Sequence, residues 1–134
     1  MRINFFNLTL SRQQGMASAI VALIALIVFT PLCGFIFDCG CTWPGLGLDE
    51  GCNFHVPEAE YRCPWCVSLF AGGLSFVLAL LAGLWAAIRA TRDRFSGRYE
   101  LTRRVFIGVV VFIVVAVLAG WLTAAQQGYP LNGF

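Results

Sequence analysis

Three unbroken apolar runs, residues 17–37, 67–90 and 105–125, divide the chain, and polar and charged residues collect between them. No charge falls inside any run before Arg89, at the very end of the second. Each run is close to the ~20 residues an α-helix needs to cross ~30 Å of hydrocarbon. The two-residue alternation of a barrel strand is absent. A spanning segment must satisfy its own backbone hydrogen bonds, so the runs predict helices. The expected fold is an all-α membrane protein with three transmembrane helices. Around them lie an N-terminal segment (1–16), a Cys/His-rich loop between helices 1 and 2 (38–66), an Arg-rich loop (91–104) and a tail (126–134).

Composition agrees. Of 134 residues, 59% are hydrophobic and 12% charged, with mean hydropathy +0.78. A soluble domain carries about 25% charge. The first run has a basic flank, as a signal peptide would. No small-x-small site follows it, and it continues to Phe37, so it reads as an uncleaved span. Thr30-Pro31 near its end is a candidate kink, because proline removes a backbone donor. Residues 1–15 place Ile3, Phe5, Phe6, Leu8 and Leu10 among polar residues, the pattern of a short interfacial amphipathic piece.

Charge sets an orientation. All nine basic residues are arginine. Arg2 and Arg12 precede the first span, and Arg89, Arg92, Arg94, Arg98, Arg103 and Arg104 lie around the 91–104 loop. The 38–66 loop has Arg62 against Asp38, Asp49, Glu50, Glu58 and Glu60. Short arginine-rich segments stay cytoplasmic. The N-terminus and the 91–104 loop are therefore expected inside, as in a bacterial inner membrane, with the 38–66 loop and the tail outside. The arginines read as a topology signal and a contact for anionic lipid, not as a nucleic-acid surface.

Small residues recur every four positions: Ser75, Ala79 and Gly83 in the second span, and Ala116, Gly120 and Ala124 in the third, with Gly108 upstream. Such stripes let helix backbones approach closely. They suit an antiparallel pairing of spans two and three, or contact with another membrane subunit. No ionisable residue sits mid-span, which argues against an ion path through this chain.

Chemistry concentrates in one loop. Five of the six cysteines and the only histidine lie between Cys39 and Cys66, as Cys39-Gly40-Cys41, Cys52-Asn53-Phe54-His55 and Cys63-Pro64-Trp65-Cys66. Each spacing lets two side chains reach one ion, and thiolate with imidazole suits zinc or copper. Helix ends that are neighbours would bring Cys39 and Cys41 to Cys63 and Cys66. Cys52 and His55 would then supply further ligands, although a loop histidine is also an ordinary surface residue. The loop lacks methionine, which weakens a copper-trafficking role. Cys33 reads as a separate thiol within the first span.

Two other readings compete. In an oxidising compartment the cysteines pair as disulfides, with fifteen pairings open to six cysteines. Alternatively, Cys63-Pro64-Trp65-Cys66 at a helix start resembles the active site of thioredoxin-like enzymes, which implies Cys63 as nucleophile and Cys66 as resolving thiol, activated by the helix end. The Cys-x-x-Cys beside a membrane helix also resembles, in that feature alone, membrane disulfide-forming enzymes of the vitamin K epoxide reductase family. Those enzymes have at least four spans and a quinone pocket; this chain has three spans and no evident quinone-binding group. Trp43 and Trp65 are expected at the membrane interface. The expectation is a small accessory or assembly subunit, not an enzyme, whose loop holds zinc or copper through some of Cys39, Cys41, Cys52, His55, Cys63 and Cys66.

Overall fold

A computed structural model of the chain describes residues 12–90 and 97–130. Among them the structure is helical, with no strand: α1 (Arg12–Phe37), the short α2 (Pro64–Val67), α3 (Leu69–Arg89) and α4 (Gly97–Gln127). Two 3-10 turns, Pro44–Leu46 and Asn53–His55, punctuate the loop before α2. Three helices are long and apolar enough to cross a membrane, as the three runs predicted. The N-terminal amphipathic piece, Arg92, Arg94 and the last four residues lie outside the described residues.

Two boundaries differ from the hydropathy pattern. The second apolar run is broken: Ser68 leaves helical geometry (φ −116°, ψ 95°), and its hydroxyl accepts from the Ala71 N–H to cap α3. This separates α2, with two of the cysteines around it, from the long helix α3. The third helix begins already at Gly97, so 97–104 is helical and not loop. A Glu100–Arg104 pair, one turn apart, supports that extension beyond the apolar run.

α3 and α4 pack as an antiparallel pair through their small residues. A Cβ at Gly83 would lie 2.7 Å from the Gly108 carbonyl oxygen, and one at Gly108 would lie 2.8 Å from Val21 Cγ2 on α1. Ala79, Ala116 and Ala124 have no exposed surface, and Ser75 almost none. The stripes are thus occupied by packing within the chain, and a partner subunit would have to meet another face. Larger apolar side chains point outward, among them Leu23, Leu26, Leu81, Trp85, Leu118 and Leu122. An apolar belt of this kind suits hydrocarbon, where it costs nothing to leave uncovered.

Each end of the bundle has its own fastening. At one end Arg104, 5% exposed, donates through Nη1 to the carbonyls of Ala87 (2.9 Å) and Ile88 (3.1 Å) at the close of α3. Gln14 of α1 donates to the Ile88 carbonyl as well. At the other end α4 stops in a Schellman turn: Gly128 at φ 66° donates to Ala125, and Tyr129 donates to Ala124. That turn directs Tyr129 back over the cysteine loop.

Candidate metal centre

Local backbone rules explain how six distant cysteines meet. α1 ends at Phe37 and the chain reverses through Asp38 in the left-handed region (φ 48°). Aspartate tolerates that conformation better than most residues. The reversal lays Cys39 back against the last turns of α1, with its thiol directed at the Cys33 carbonyl (3.6 Å). Gly34 leaves room for the Cys41 carbonyl to rest on the helix; a Cβ there would collide with it. Gly40 has φ 83° and lies against the Gly51 carbonyl, which draws the second half of the loop over the first.

The loop is then closed by hydrogen bonds. Asn53 N–H donates to the Cys39 carbonyl at 2.7 Å, and Asn53 Oδ1 accepts from the Cys63 N–H at 2.8 Å. Asn53 Nδ2 donates to Tyr129 Oη, which in turn donates to the Phe37 carbonyl at 2.6 Å. Pro64 opens α2 directly after Cys63, where proline's missing donor costs nothing. Trp65 is buried, stacked on Phe29 with ring centroids 4.7 Å apart and edge-on to Phe37. It is therefore a packing residue beneath the loop and not an exposed interfacial anchor; Trp43 is half exposed.

The result is a cage of six sulfurs. Cys33 Sγ lies 3.2 Å from Cys63 and 3.7 Å from Cys39. Cys39 lies 3.4 Å from Cys41, Cys41 4.0 Å from Cys66, and Cys66 3.6 Å from Cys52. All six cysteines are free thiols in this structure, and all but Cys66 are buried. Four groups of three have their sulfurs mutually within 4.8 Å: Cys33/Cys39/Cys63, Cys33/Cys41/Cys66, Cys39/Cys41/Cys52 and Cys52/Cys63/Cys66. Such a cluster between the helices could hold a metal ion. Sulfurs bound to one tetrahedral zinc at ~2.3 Å sit ~3.8 Å apart, the scale seen here.

Of the residues expected as ligands, the structure brings together Cys39, Cys41, Cys52, Cys63 and Cys66. It does not bring in His55. The imidazole Nε2 lies 3.1 Å from Asp49 Oδ2, with both side chains about half exposed, and it belongs to none of the four groups. In its place stands Cys33, which the apolar run had hidden. Its signal in the sequence was its nearness to the end of α1, where one reversal of the chain returns Cys39 to it. The Asn53–Tyr129 latch was likewise unforeseen, although Gly128 directly before Tyr129 marks a helix stop.

The thiols share protons unevenly. Hydrogen bonds from Cys33, Cys39 and Cys41 hold Cys63 below the ordinary thiol range. Burial pushes Cys52 up to about 12. Cys63 is completely enclosed, whereas a thiol that attacks a disulfide must be reached. Beside the cage lies a cavity of about 350 Å³, bounded by Phe29, Trp65, Gly73 and three of the cysteines, Cys33, Cys41 and Cys66.

Comparison of the chain with known protein families, with characterised proteins and with solved structures returns no match.

Proposed function

We propose that this chain is a small integral membrane accessory or assembly subunit that holds a transition metal, zinc or copper, in a thiolate cage at the outer end of its helices. The observation that carries the reading is the convergence of all six sulfurs from four separate stretches of chain. Burying six thiols together serves packing poorly, since apolar side chains fill such space without polar atoms. It serves a soft metal well, because thiolate selects zinc and copper(I). The outer location is supported by the arginine distribution, since short arginine-rich segments such as 91–104 favour the cytoplasmic side.

The test is metal analysis with a free-thiol count on the full chain, purified in detergent under anaerobic conditions. Bound zinc or copper, with the thiols blocked until the metal is removed, is the expected result. A preparation without metal whose cysteines are paired as disulfides overturns the reading. Reporter fusions at Gly47 and at the 91–104 segment test the orientation separately.

A further inference from the structure

Three of the six cysteines face more than one another. Cys33, Cys41 and Cys66 have their sulfurs mutually within 4.8 Å, and the same three line the cavity of about 350 Å³ beside the cage. Cys39, Cys52 and Cys63 are 2%, 0% and 0% exposed. Among the six, Cys66 alone is not fully buried. It sits on the short α2, which Ser68 sets off from α3, whereas Cys33 is held inside α1.

The cavity suits a small molecule. Its volume lies at the low end of the ~300–1,000 Å³ of small-molecule sites, too small for a folded partner. Phe29, Trp65 and Leu69 give it apolar walls, and Asp49, Phe54 and Leu69, all exposed, border its mouth. Its α3 side is Gly72 and Gly73. Gly72 is needed for packing, since a Cβ there would lie 2.7 Å from the Trp65 carbonyl oxygen. At Gly73 a Cβ would meet nothing within 4 Å, so the missing side chain keeps the space open. Apolar walls disfavour an entering charge, and the Asp49 carboxylate opposes an anion in particular. A structural metal site is closed by its own ligands, whereas a working one keeps a position for an outside ligand. Here that position borders three thiols. A soft ion held by thiolate is drawn off most readily by another soft donor.

We propose that the cavity is an exchange port, in which a small neutral thiol takes the metal by displacing Cys66. This rests on the metal-holding role proposed above and names the class of ligand, its entry and the cysteine that yields. The thiol enters protonated. Its sulfur bonds to the metal as the metal–Cys66 bond breaks, and its proton passes to the Cys66 sulfur. No electron moves, and the total charge is unchanged. Cys33 and Cys41 keep the ion at the cavity wall while Cys66 is exchanged, and they yield in turn to further thiols. The same steps in reverse load the cage.

The experiment times metal transfer from the reduced full chain in detergent, loaded anaerobically with zinc or copper(I), whichever it retains, to an excess of a bulky anionic chelator. Mercaptoethanol is added, or mercaptoethanesulfonate, which carries a fixed negative charge. The expected rate rises in proportion to mercaptoethanol and does not respond to the sulfonate. Gly73→Leu and, from the α1 wall, Thr30→Phe fill the cavity and abolish the rise, with helical content and metal capacity kept. A second readout needs no metal: on the reduced, metal-free chain, iodoacetamide alkylates Cys66 first, and both variants slow that reaction. A rate independent of mercaptoethanol, an equal response to the sulfonate, a rise that survives in both folded variants, or first alkylation at Cys39, Cys52 or Cys63 overturns the port. If the chain retains metal and any of these is found, the port falls and the metal-holding role stands. If it retains no metal, both fall.

Discussion

Cys33 Sγ lies 3.2 Å from Cys63 Sγ, although thirty residues separate them in the chain. One sulfur comes from the last turns of α1 and the other from the residue preceding α2. Their meeting joins the two ends of the cysteine loop from within. Cys33 belongs to two of the four close groups of three sulfurs. Cys33→Ser is therefore expected to lower the amount of metal the full chain retains, since thiolate and not hydroxyl is the soft ligand. Metal analysis after saturation and desalting measures it, with helical content by circular dichroism as the check on folding. Unchanged capacity would remove Cys33 from the site.

His55 is the counter-case. Its hydrogen bond and positive charge hold the Asp49 carboxyl below its ordinary value. The contact is a solvent-exposed pair, and such pairs contribute little. His55→Ala is expected to leave metal capacity unaltered and to raise the Asp49 pKa toward 3.8, as read by carboxyl NMR titration. The sign follows from linkage. A depressed carboxyl stabilises the fold above its unfolded pKa and loses that contribution as pH falls through the folded value. The variant should therefore lose less stability than the native chain in that acidic window.

What the sequence discloses here is governed by scale. The three long apolar helices were legible because a run of about twenty apolar residues, if it crosses hydrocarbon, can satisfy its backbone only as a helix. The pairing of α3 with α4 was legible in Ser75, Ala79, Gly83 and their counterparts. Five of the six clustered cysteines were picked out by their spacing. Cys33 was not, because a cysteine inside an apolar run looks like any small apolar residue until the chain reverses at Asp38. His55 misled for the converse reason: Cys-x-x-His is a ligand spacing in sequence, but the 3-10 turn Asn53–His55 leaves the imidazole with Asp49, outside the cage.

The glycines at the mouth of the cage are steric requirements. A Cβ at Gly34 would collide with the Cys41 carbonyl, which cannot yield as a side-chain tip can. Gly40 adds a positive φ to a similar collision with Gly51. Overpacking of this kind costs about 1–3 kcal/mol. Gly34→Ala is expected to lift Cys39 and Cys41 away from Cys33, with helical content kept and metal capacity reduced. Faster labelling of the metal-free thiols by a maleimide would report the same opening.

Gly73 offers the opposite opportunity. It borders the cavity, and a Cβ there meets nothing within 4 Å. Gly73→Phe should occupy the cavity that Cys33, Cys41 and Cys66 line without displacing the cage. Equilibrium capacity should stay unchanged, while transfer of the bound metal to a soluble chelator slows by about tenfold, the equivalent of ~1.4 kcal/mol of barrier. Stopped-flow absorption of the chelate measures it. An unaltered rate would show that the metal leaves by another route.

Arg104 lies at the far end of the bundle and tests whether the scaffold and the cage are separable. Its guanidinium donates to two α3 carbonyls and, through Nε and Nη2, to Glu100 Oε1 at 3.1 and 3.0 Å. Both side chains are largely buried, 7% and 15% exposed. Removing one member of such a pair leaves an uncompensated charge, at a cost of about 3–5 kcal/mol. Arg104→Met should therefore lower the thermal unfolding midpoint in detergent. Glu100→Gln combined with Arg104→Met should recover part of the loss, because the stranded carboxylate is gone. Arg104→Lys should fall between, since an ammonium lacks the fork that reaches both α3 carbonyls and Glu100 together. In each variant the folded fraction should bind metal as the native chain does, because none of these contacts touches the sulfurs. A fall in metal capacity that tracks the loss of stability would show instead that the cage depends on the packing of α3 against α4 along its whole length.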